Sequence, residues 1–412
     1  MLANDLADRP ELRDELRELG LAARFGEVIR ICDRHLQEDG TDVALLGVRS
    51  AARAWQDDHA GSLADAERII ELEPQHLTAH IRRATALSEM HRHSDAAAAR
   101  EQALALTEAR LDEVPRDADA WQCRAALLLE MKRPAEALEA ADEALQAGAE
   151  QESVSIGRAL TYANLGDAER AKEAIGEVVQ ARPDAALYRV RHAGVLMILG
   201  EYSAAEAAAS KAIELNRRSG TSWQVRAWQR VYQGRRVEGA RDLERATRLL
   251  PDSPSAHADR AIVLYSLAYA YWDATTVWER IRGWWDYQRF SQAFSQEAER
   301  VLELDPHHAR VRQLLGVVRM AEGREREAKD HIRVAVNVHS DRLSVTPDDP
   351  WELLERGWCH LCLDETYAAR KDFDEVIEID QNGASATQAH EYLRGMDGSP
   401  GAAGAPVPDW RR

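Results

Sequence analysis

Few residues in the sequence match a catalytic or metal-binding pattern, and the best candidate is a pair of cysteines. The run CHLC places Cys359 and Cys362 three positions apart. A zinc ribbon needs a second pair of this kind, but Cys32 and Cys123 are hundreds of residues away along the chain. The run is not C-x-x-C-H, so it does not attach haem. We therefore interpret these thiols as small apolar side chains packed along a helix, and we expect no metal.

Neither the histidines nor the carboxylates form a recognisable catalytic motif. His76 and His80 lie one helical turn apart, but the run HLTAH lacks the glutamate of a zinc-protease helix. His91 and His93 complete this local group, and we interpret all four as surface residues of helices. The sequence has no glycine-rich phosphate loop and no G-x-S-x-G elbow. No catalytic residue and no cofactor are predicted, so we do not expect an enzyme.

The charge and the composition narrow the choice of partner and compartment. The 412 residues carry a net charge of −18, which disfavours nucleic acid and anionic lipid and favours a basic partner surface. The sequence has no apolar run of about 18 residues that could span a membrane, and its acidic amino terminus lacks the apolar core of a secretory signal. With only four cysteines, a reducing cytoplasm is expected. Arginine greatly outnumbers lysine, which suggests a GC-rich bacterial source.

A regular repeat runs along most of the sequence. The segments 155–183 and 189–217 superpose with Ala159 on Ala193 and Gly166 on Gly200, so both pairs have the same spacing. A residue that closes a second helix recurs at this spacing, except in three longer intervals that end at positions 115, 306 and 381. The closing positions are 40, 74, 115, 149, 183, 217, 251, 306, 340 and 381.

Small residues recur at two positions in each repeat, where two antiparallel helices would approach closely. Bulky side chains there would hold the helices apart, so alanine and glycine indicate tight hairpins. These features resemble those of the tetratricopeptide repeat family, whose unit is a helix–turn–helix hairpin of about 34 residues. The resemblance covers about residues 10–381. It implies an all-α, right-handed superhelical solenoid of about ten hairpins, with a capping helix near 384–395 and a disordered tail at 396–412.

In this family the first helix of each hairpin lines a concave groove, and the resemblance implies which residues face it here. The implied groove is apolar, which is typical of an interaction surface. Burial of some of these side chains between neighbouring first helices is the alternative. The residues are Ile156, Leu160, Val190, Met197, Ile198, Trp228, Val231, Tyr232, Ile262, Tyr265 and Trp358.

Large aromatic residues concentrate at about 265–294, within the longest interval between closing positions, from 251 to 306. The excess length falls inside one hairpin, so it either lengthens both helices or adds a separate helix that starts at Thr276. Trp278, Trp284 and Trp285 belong to this aromatic hairpin extension. They are candidates for a second partner contact, and the alternative is that all the rings fill one local core.

An arginine directly precedes the small residue of most first helices. It could form a ladder that reaches a ligand, or it could pair with an acid inside its own repeat. Three acids, Asp65, Asp242 and Asp372, follow such an arginine at one common spacing. We favour pairing within the repeat.

The sequence therefore predicts a single solenoid over residues 10–395 that acts as a non-catalytic protein-interaction scaffold or adaptor. Its groove would bind a partner peptide or helix. The alternatives are a regulatory subunit that docks on a partner enzyme, and a homo-oligomeric scaffold. We expect no nucleic acid and no membrane among its partners.

Overall fold

The protein is known from a computed structural model, which describes residues 6, 8–269, 277–381 and 383–398. Side chains are described for the same residues except 269, 277–287 and 397–398. Throughout these ranges the chain forms α-helices joined by short turns, and no strand occurs in them. The helices pack in consecutive pairs, so the predicted all-α solenoid of helix–turn–helix hairpins is confirmed.

Ten hairpins and one closing helix account for the described elements. Hairpins 1 to 5 are α1 (Pro10–Leu21) with α2 (Phe25–Leu36), α3 (Val43–Trp55) with α4 (His59–Leu72), α5 (Leu77–Glu89) with α6 (His93–Glu113), α7 (Ala118–Glu130) with α8 (Pro134–Gln146), and α9 (Gln151–Asn164) with α10 (Ala168–Ala181). Hairpins 6 to 10 are α11 (Ala186–Ile198) with α12 (Tyr202–Leu215), α13 (Gly220–Tyr232) with α14 (Arg236–Leu249), α15 (Pro254–Tyr269) with α16 (Val277–Leu304), α17 (Ala309–Ala321) with α18 (Glu325–Val345), and α19 (Pro350–Cys362) with α20 (Thr366–Asp380). Helix α21 (Ala384–Gly398) follows.

The turn inside a hairpin ends the first helix with a residue in the left-handed region. The next N–H then bonds a carbonyl five positions back, as from Asp58 to Arg53 at 3.0 Å and from Glu365 to His360 at 2.9 Å. This arrangement satisfies carbonyls that a helix end would leave unpaired. A residue at positive φ occurs at this turn in the nine hairpins whose turns the structure describes, all except hairpin 8: Ala23, Asp57, His91, Lys132, Gly166, Gly200, Gly234, Gly323 and Asp364.

Close packing of the two helices explains the recurrent small residues. Ala159 and Ala171 are fully buried where α9 meets α10. At Gly239 an added Cβ would lie 2.6 Å from a methyl of Val231 and 2.9 Å from the carbonyl oxygen of Ala227. Real Cβ atoms do not approach so closely, so a larger residue would push the two helices apart.

The chain divides into two compact units. Unit 1 comprises Met1–Met90 and Asp95–Ala256, and unit 2 comprises His91–Ser94 and His257–Arg412. The core of unit 1 comprises several apolar clusters, and the one centred on hairpins 1 and 2 contains Phe25 stacked on Trp55, with 5.3 Å between ring centroids.

In unit 2 the lengthened hairpin is built from two long helices. Helix α15 is buried on every side over its last described turns, from Val263 to Ala268. Tyr265 meets Phe294 edge to face, with 5.4 Å between ring centroids. Phe294 stands where other repeats have a small residue, and it is fully buried. Helix α16 continues from Val277 to Leu304, so no separate helix interrupts that stretch. Residues 270–276, including Thr276, lie outside the described residues.

Candidate functional site

The clearest exposed apolar feature of unit 1 lies at the ends of α11 and α13, and we call Ile198, Tyr202, Trp228 and Tyr232 the aromatic patch. Tyr202 stacks on Tyr232 with 4.8 Å between ring centroids and 15° between planes. The ring of Trp228 also contacts Tyr232, with 5.7 Å between ring centroids and 35° between planes. Ile198 is 43% exposed and Tyr232 37% exposed. Neighbouring apolar side chains that stay partly exposed are typical of an interaction surface.

A group of ion-paired side chains lies beside the aromatic patch. Glu206 accepts hydrogen bonds from Arg230 at 2.9 Å and Arg235 at 2.7 Å, and Gln233 donates to the same carboxylate at 3.1 Å. Burial alone would raise the pKa of Glu206, but these donors outweigh it and hold the pKa below its ordinary value. The carboxylate therefore stays charged and paired, and the rings beside it form the apolar part of the surface.

The other residues that the resemblance assigned to the groove fall into two sets, one half-buried and one buried. Ile156, Leu160, Met197 and Ile262 are half-buried and flank the core. A second set packs inside the solenoid at 1–6% exposure: Val190, Val231, Tyr265 and Trp358. Binding at the half-buried set stays a prediction, and the buried set would first have to be uncovered. The side chains of Trp278, Trp284 and Trp285 lie outside the described residues.

Three of the recurrent arginines pair with an acid inside their own repeats, whereas Arg158 pairs with Asp142 of the preceding hairpin at 2.7 Å. Three pairs form, each through two arginine nitrogens and both carboxylate oxygens at 2.6–3.0 Å: Arg49 with Asp65, Arg226 with Asp242, and Arg356 with Asp372. The carboxylates are only 4–5% exposed. Two-pronged pairs of this kind fix the angle between the helices of a hairpin. In these three repeats the arginine has a structural role.

The cysteines lie within the packed helices. Cys359 is fully buried, and burial raises the pKa of its thiol well above its ordinary value. Gln313 donates to its sulfur at 3.2 Å. Cys362 is partly exposed, and burial raises the pKa of its thiol to about 12. Among the described residues no group of three His, Cys, Asp or Glu side chains is arranged to hold a metal ion.

One histidine expected at the surface is buried instead. His80 is 1% exposed, and its Nε2 lies 2.8 Å from the carbonyl oxygen of Pro74. Burial lowers its pKa, so the ring is neutral near pH 7. The expectation of a surface position was wrong for His80, because it lies on the side of α5 that faces the loop before it.

A buried polar network in unit 2 was not foreseen from the sequence. The Gln313 amide donates to Glu355 at 3.0 Å and lies 3.1 Å from Nε2 of His339, whose Nδ1 lies 2.7 Å from Glu352. Burial alone would raise the pKa of Glu352, but His339 and Arg342 lower it to about 2. These residues come from α17, α18 and α19, so only the fold brings them together.

Comparison with known families identifies the repeat. A family model described as a tetratricopeptide repeat matches residues 155–185, which coincide with the hairpin of α9 and α10. Eight of the other hairpins have a turn of the same kind, and most of the other helices are similar in length, with α6, α16 and α18 longer. The chain contains a tetratricopeptide repeat and folds as a solenoid of this type. None of the curated proteins matches it in sequence. Folds of this type usually serve as non-catalytic scaffolds that bind other proteins.

Solved structures share the tetratricopeptide solenoid at low sequence identity. The human IFIT1 dimer with m7Gppp-AAAA has a TM-score of 0.53 and 14% identity, and it covers 89% of this chain and 85% of that chain. The human IFIT1 dimer with PPP-AAAA has the same TM-score and identity over 90% and 85%. A tetratricopeptide repeat protein from Parabacteroides merdae has a TM-score of 0.41 and 15% identity over 62% and 98%. The IFIT1 likeness shows the fold alone.

No helix in the described part of the chain has both the length and the apolar character that crossing a bilayer requires.

Proposed function

We propose that this protein is a non-catalytic adaptor that binds a segment of a partner protein, and that the aromatic patch is a principal contact. The observation that supports this proposal is the exposure of Ile198 and Tyr232 beside stacked rings at the ends of two neighbouring first helices. Neither side chain belongs to the buried core. An aromatic anchor in such a patch commonly contributes about 2 kcal/mol or more to binding.

The half-buried residues of neighbouring repeats extend this surface. Met197 precedes Ile198 on α11, while Ile156 and Leu160 lie on α9, the previous first helix. A partner helix or an extended peptide with apolar side chains at matching spacing would lie across these helices. The flexible thioether of Met197 would adapt to different side chains.

The net charge of −18 favours a partner with a basic surface. The same charge disfavours nucleic acid, although the IFIT1 structures contain m7Gppp-AAAA and PPP-AAAA. We infer that this chain has no comparable RNA ligand, and that it works in a cytoplasm, where its free thiols stay reduced. A bacterial source fits the preference for arginine over lysine.

The test is affinity capture with the purified chain, followed by mass spectrometry and a binding measurement on the captured partner. Trp228→Ala and Met197→Glu should each weaken binding at least about tenfold while helicity stays unchanged. Tyr367→Ala is the matched control, because Tyr367 is an aromatic residue of unit 2 that is 85% exposed. Equal affinity in both patch variants and the control would remove the aromatic patch from the binding site. Tight binding of PPP-AAAA by the wild-type chain would contradict the exclusion of nucleic acid.

The aromatic extension at 265–294 remains a proposed second contact, with a partner enzyme or with a second copy of the chain. Deleting residues 268–288 restores a repeat of near-normal length. If the extension is an interface, the shortened chain should stay folded and lose its partner or its self-association, which a mass measurement in solution detects. A large fall in melting temperature would show instead that the segment is part of the core.

A further inference from the structure

The turn of hairpin 2 in unit 1 makes a contact that the repeat pattern alone does not require. Asp57 accepts hydrogen bonds from the hydroxyl of Ser253 and from the backbone N–H of Ser255, both at 2.7 Å. Nε2 of His59 lies 2.7 Å from the other oxygen of the same carboxylate. The side chains of Asp57 and His59 are each only 16% exposed. Ser255 is the second residue of α15, so the carboxylate also meets the positive end of a helix.

Asp57 adopts a backbone conformation that glycine would adopt more easily. Its φ is 66°, and the residues at the same turn position in hairpins 5, 6 and 7 are glycines with φ of 75–80°. A side chain in the left-handed region costs about 1 kcal/mol relative to glycine. The aspartate therefore carries a local cost that its distant hydrogen bonds offset.

The turn of hairpin 1 docks in a similar way. The side-chain amide of Asn216 donates to the carbonyl oxygens of Ala22 at 2.9 Å and Ala23 at 3.2 Å. Leu21 packs in a small apolar cluster with Val178, Val179, Ala185 and Tyr188. Hairpins 1 and 2 thus touch the loops that precede α11, α13 and α15, although these loops come much later in the chain.

Trp55, at the end of α3, meets the first helices of hairpins 6 and 7. The guanidinium of Arg191 on α11 lies 4.5 Å from the centre of its ring. Thr221 on α13 donates to its carbonyl oxygen at 3.4 Å. Burial lowers the pKa of Arg191 to about 10, so the ring and the protein around it shield this cation from water. The amino-terminal halves of α11 and α13 are therefore covered, whereas their carboxyl ends carry the exposed aromatic patch.

We propose that hairpins 1 and 2 are a releasable cover over the amino-terminal halves of α11 and α13, held closed at Asp57. Release exposes Leu187, Arg191 and Thr221 and lengthens the surface that begins at the aromatic patch. That consequence rests on the proposed function, but the cover itself does not. The contacts that close it at Asp57, Asn216 and the Trp55 carbonyl are polar groups that water can replace. Its apolar contacts are those of Leu21 and of Ala186, Leu187 and Leu215 with the core of hairpins 1 and 2. Loss of the polar contacts at Asp57 lowers the free energy at which this segment opens locally.

The test is hydrogen exchange on the full-length chain without any partner. Asp57→Ala should raise the exchange rate of the Ser255 amide, which donates to Asp57, and of the amides in segments 186–192 and 220–226, by about tenfold or more. Amides of α7 and α8 should keep their protection, because no contact of the cover reaches them. The matched control is Asp364→Ala, at the same turn position in hairpin 10, where the carboxylate is 86% exposed.

Three outcomes are distinguishable. Selective loss of protection in the three named segments supports a releasable cover. Unchanged protection in Asp57→Ala, or a uniform loss that includes α7 and α8, would overturn it, because the contact would then be either inert or part of the global core. A failure of Trp228→Ala to affect partner capture would count against the proposed function and would leave this exchange result intact.

Discussion

The turns of hairpins 2 and 10 have the same backbone and the same residue type but opposite surroundings. Asp57 has φ of 66° and Asp364 has φ of 63°. The carboxylate of Asp57 is 16% exposed and holds three partners. The carboxylate of Asp364 is 86% exposed, and Lys329 lies 3.6 Å away. The repeat pattern thus sets the conformation of the turn, while distant parts of the fold decide whether its side chain stabilises anything.

The largest predicted difference between the two turns comes from removing each carboxylate. Asp57→Ala should lower the opening free energy of hairpin 2 by about 3 kcal/mol, because hydrogen bonds to a charged group are lost and Ser253 is left buried. Asp364→Ala should change hairpin 10 by no more than about 0.5 kcal/mol, since its carboxylate is solvated. Native-state hydrogen exchange measures both. Equal effects at the two turns would show that the surroundings of Asp57 contribute nothing.

Glycine substitution should give effects of opposite sign at the two positions. At Asp57 it removes the backbone cost but also the hydrogen bonds, for a net loss of about 2 kcal/mol. At Asp364 it removes the backbone cost alone and should stabilise hairpin 10 by about 0.5 kcal/mol. The measurement is the same exchange experiment, read in each hairpin. Stabilisation by Asp57→Gly would mean that strain, rather than docking, dominates at that turn.

The part of the structure that the sequence predicts is the part that repeats. The helical hairpins, their turns and the pairing of Arg49 with Asp65 follow from a constant spacing, so they can be counted along the chain. The bond from Ser253 to Asp57 joins residues 196 positions apart and depends on how much the solenoid curves. Curvature is the sum of small rotations between neighbouring hairpins, which no single residue reveals.

The sequence also did not predict which residues of the groove are buried. Ile198 and Tyr232 are exposed, but Val231, next to Tyr232 on α13, is 1% exposed. The repeat register places both near the groove, and the packing of neighbouring helices decides which one stays in contact with water. The family resemblance therefore located the surface on the first helices without separating its exposed members from the core.

In a turn that makes no distant contact, a substitution should change the stability of the hairpin only through the backbone conformation. At Gly234, where φ is 80°, an added Cβ would have no atom within 4 Å, so Gly234→Ala introduces strain without a clash. We expect a loss of about 1 kcal/mol in hairpin 7. Gly234→Asn is the control, because asparagine tolerates this conformation and should lose less. A much larger loss of stability for alanine would show that this turn makes a contact. The turn of hairpin 7 would then differ from the solvated turn of hairpin 10.

The smallest predicted effect is a dependence of the hairpin 2 contact on pH. Burial alone would raise the pKa of Asp57, but His59, Ser255 and Ser253 hold it below its ordinary 3.8. Burial alone would lower the pKa of His59, but Asp57 raises it above its ordinary 6.5, with help from Glu89 and Asp58.

The signs of these two shifts fix the pH window. The contribution of the raised pKa of His59 is complete below pH 6.5 and is lost as pH rises through the folded value, whereas that of Asp57 is lost as pH falls below 3.8. The contact is therefore most stable between these limits. Between pH 6 and pH 8.5 the protection of the Ser255 amide, corrected for intrinsic exchange, should fall in the wild-type chain. In His59→Gln, where the neighbouring side chain does not titrate, protection should stay constant over this range. An identical fall in both proteins would show that another group causes the pH dependence. His59 would then be only a neutral neighbour of Asp57.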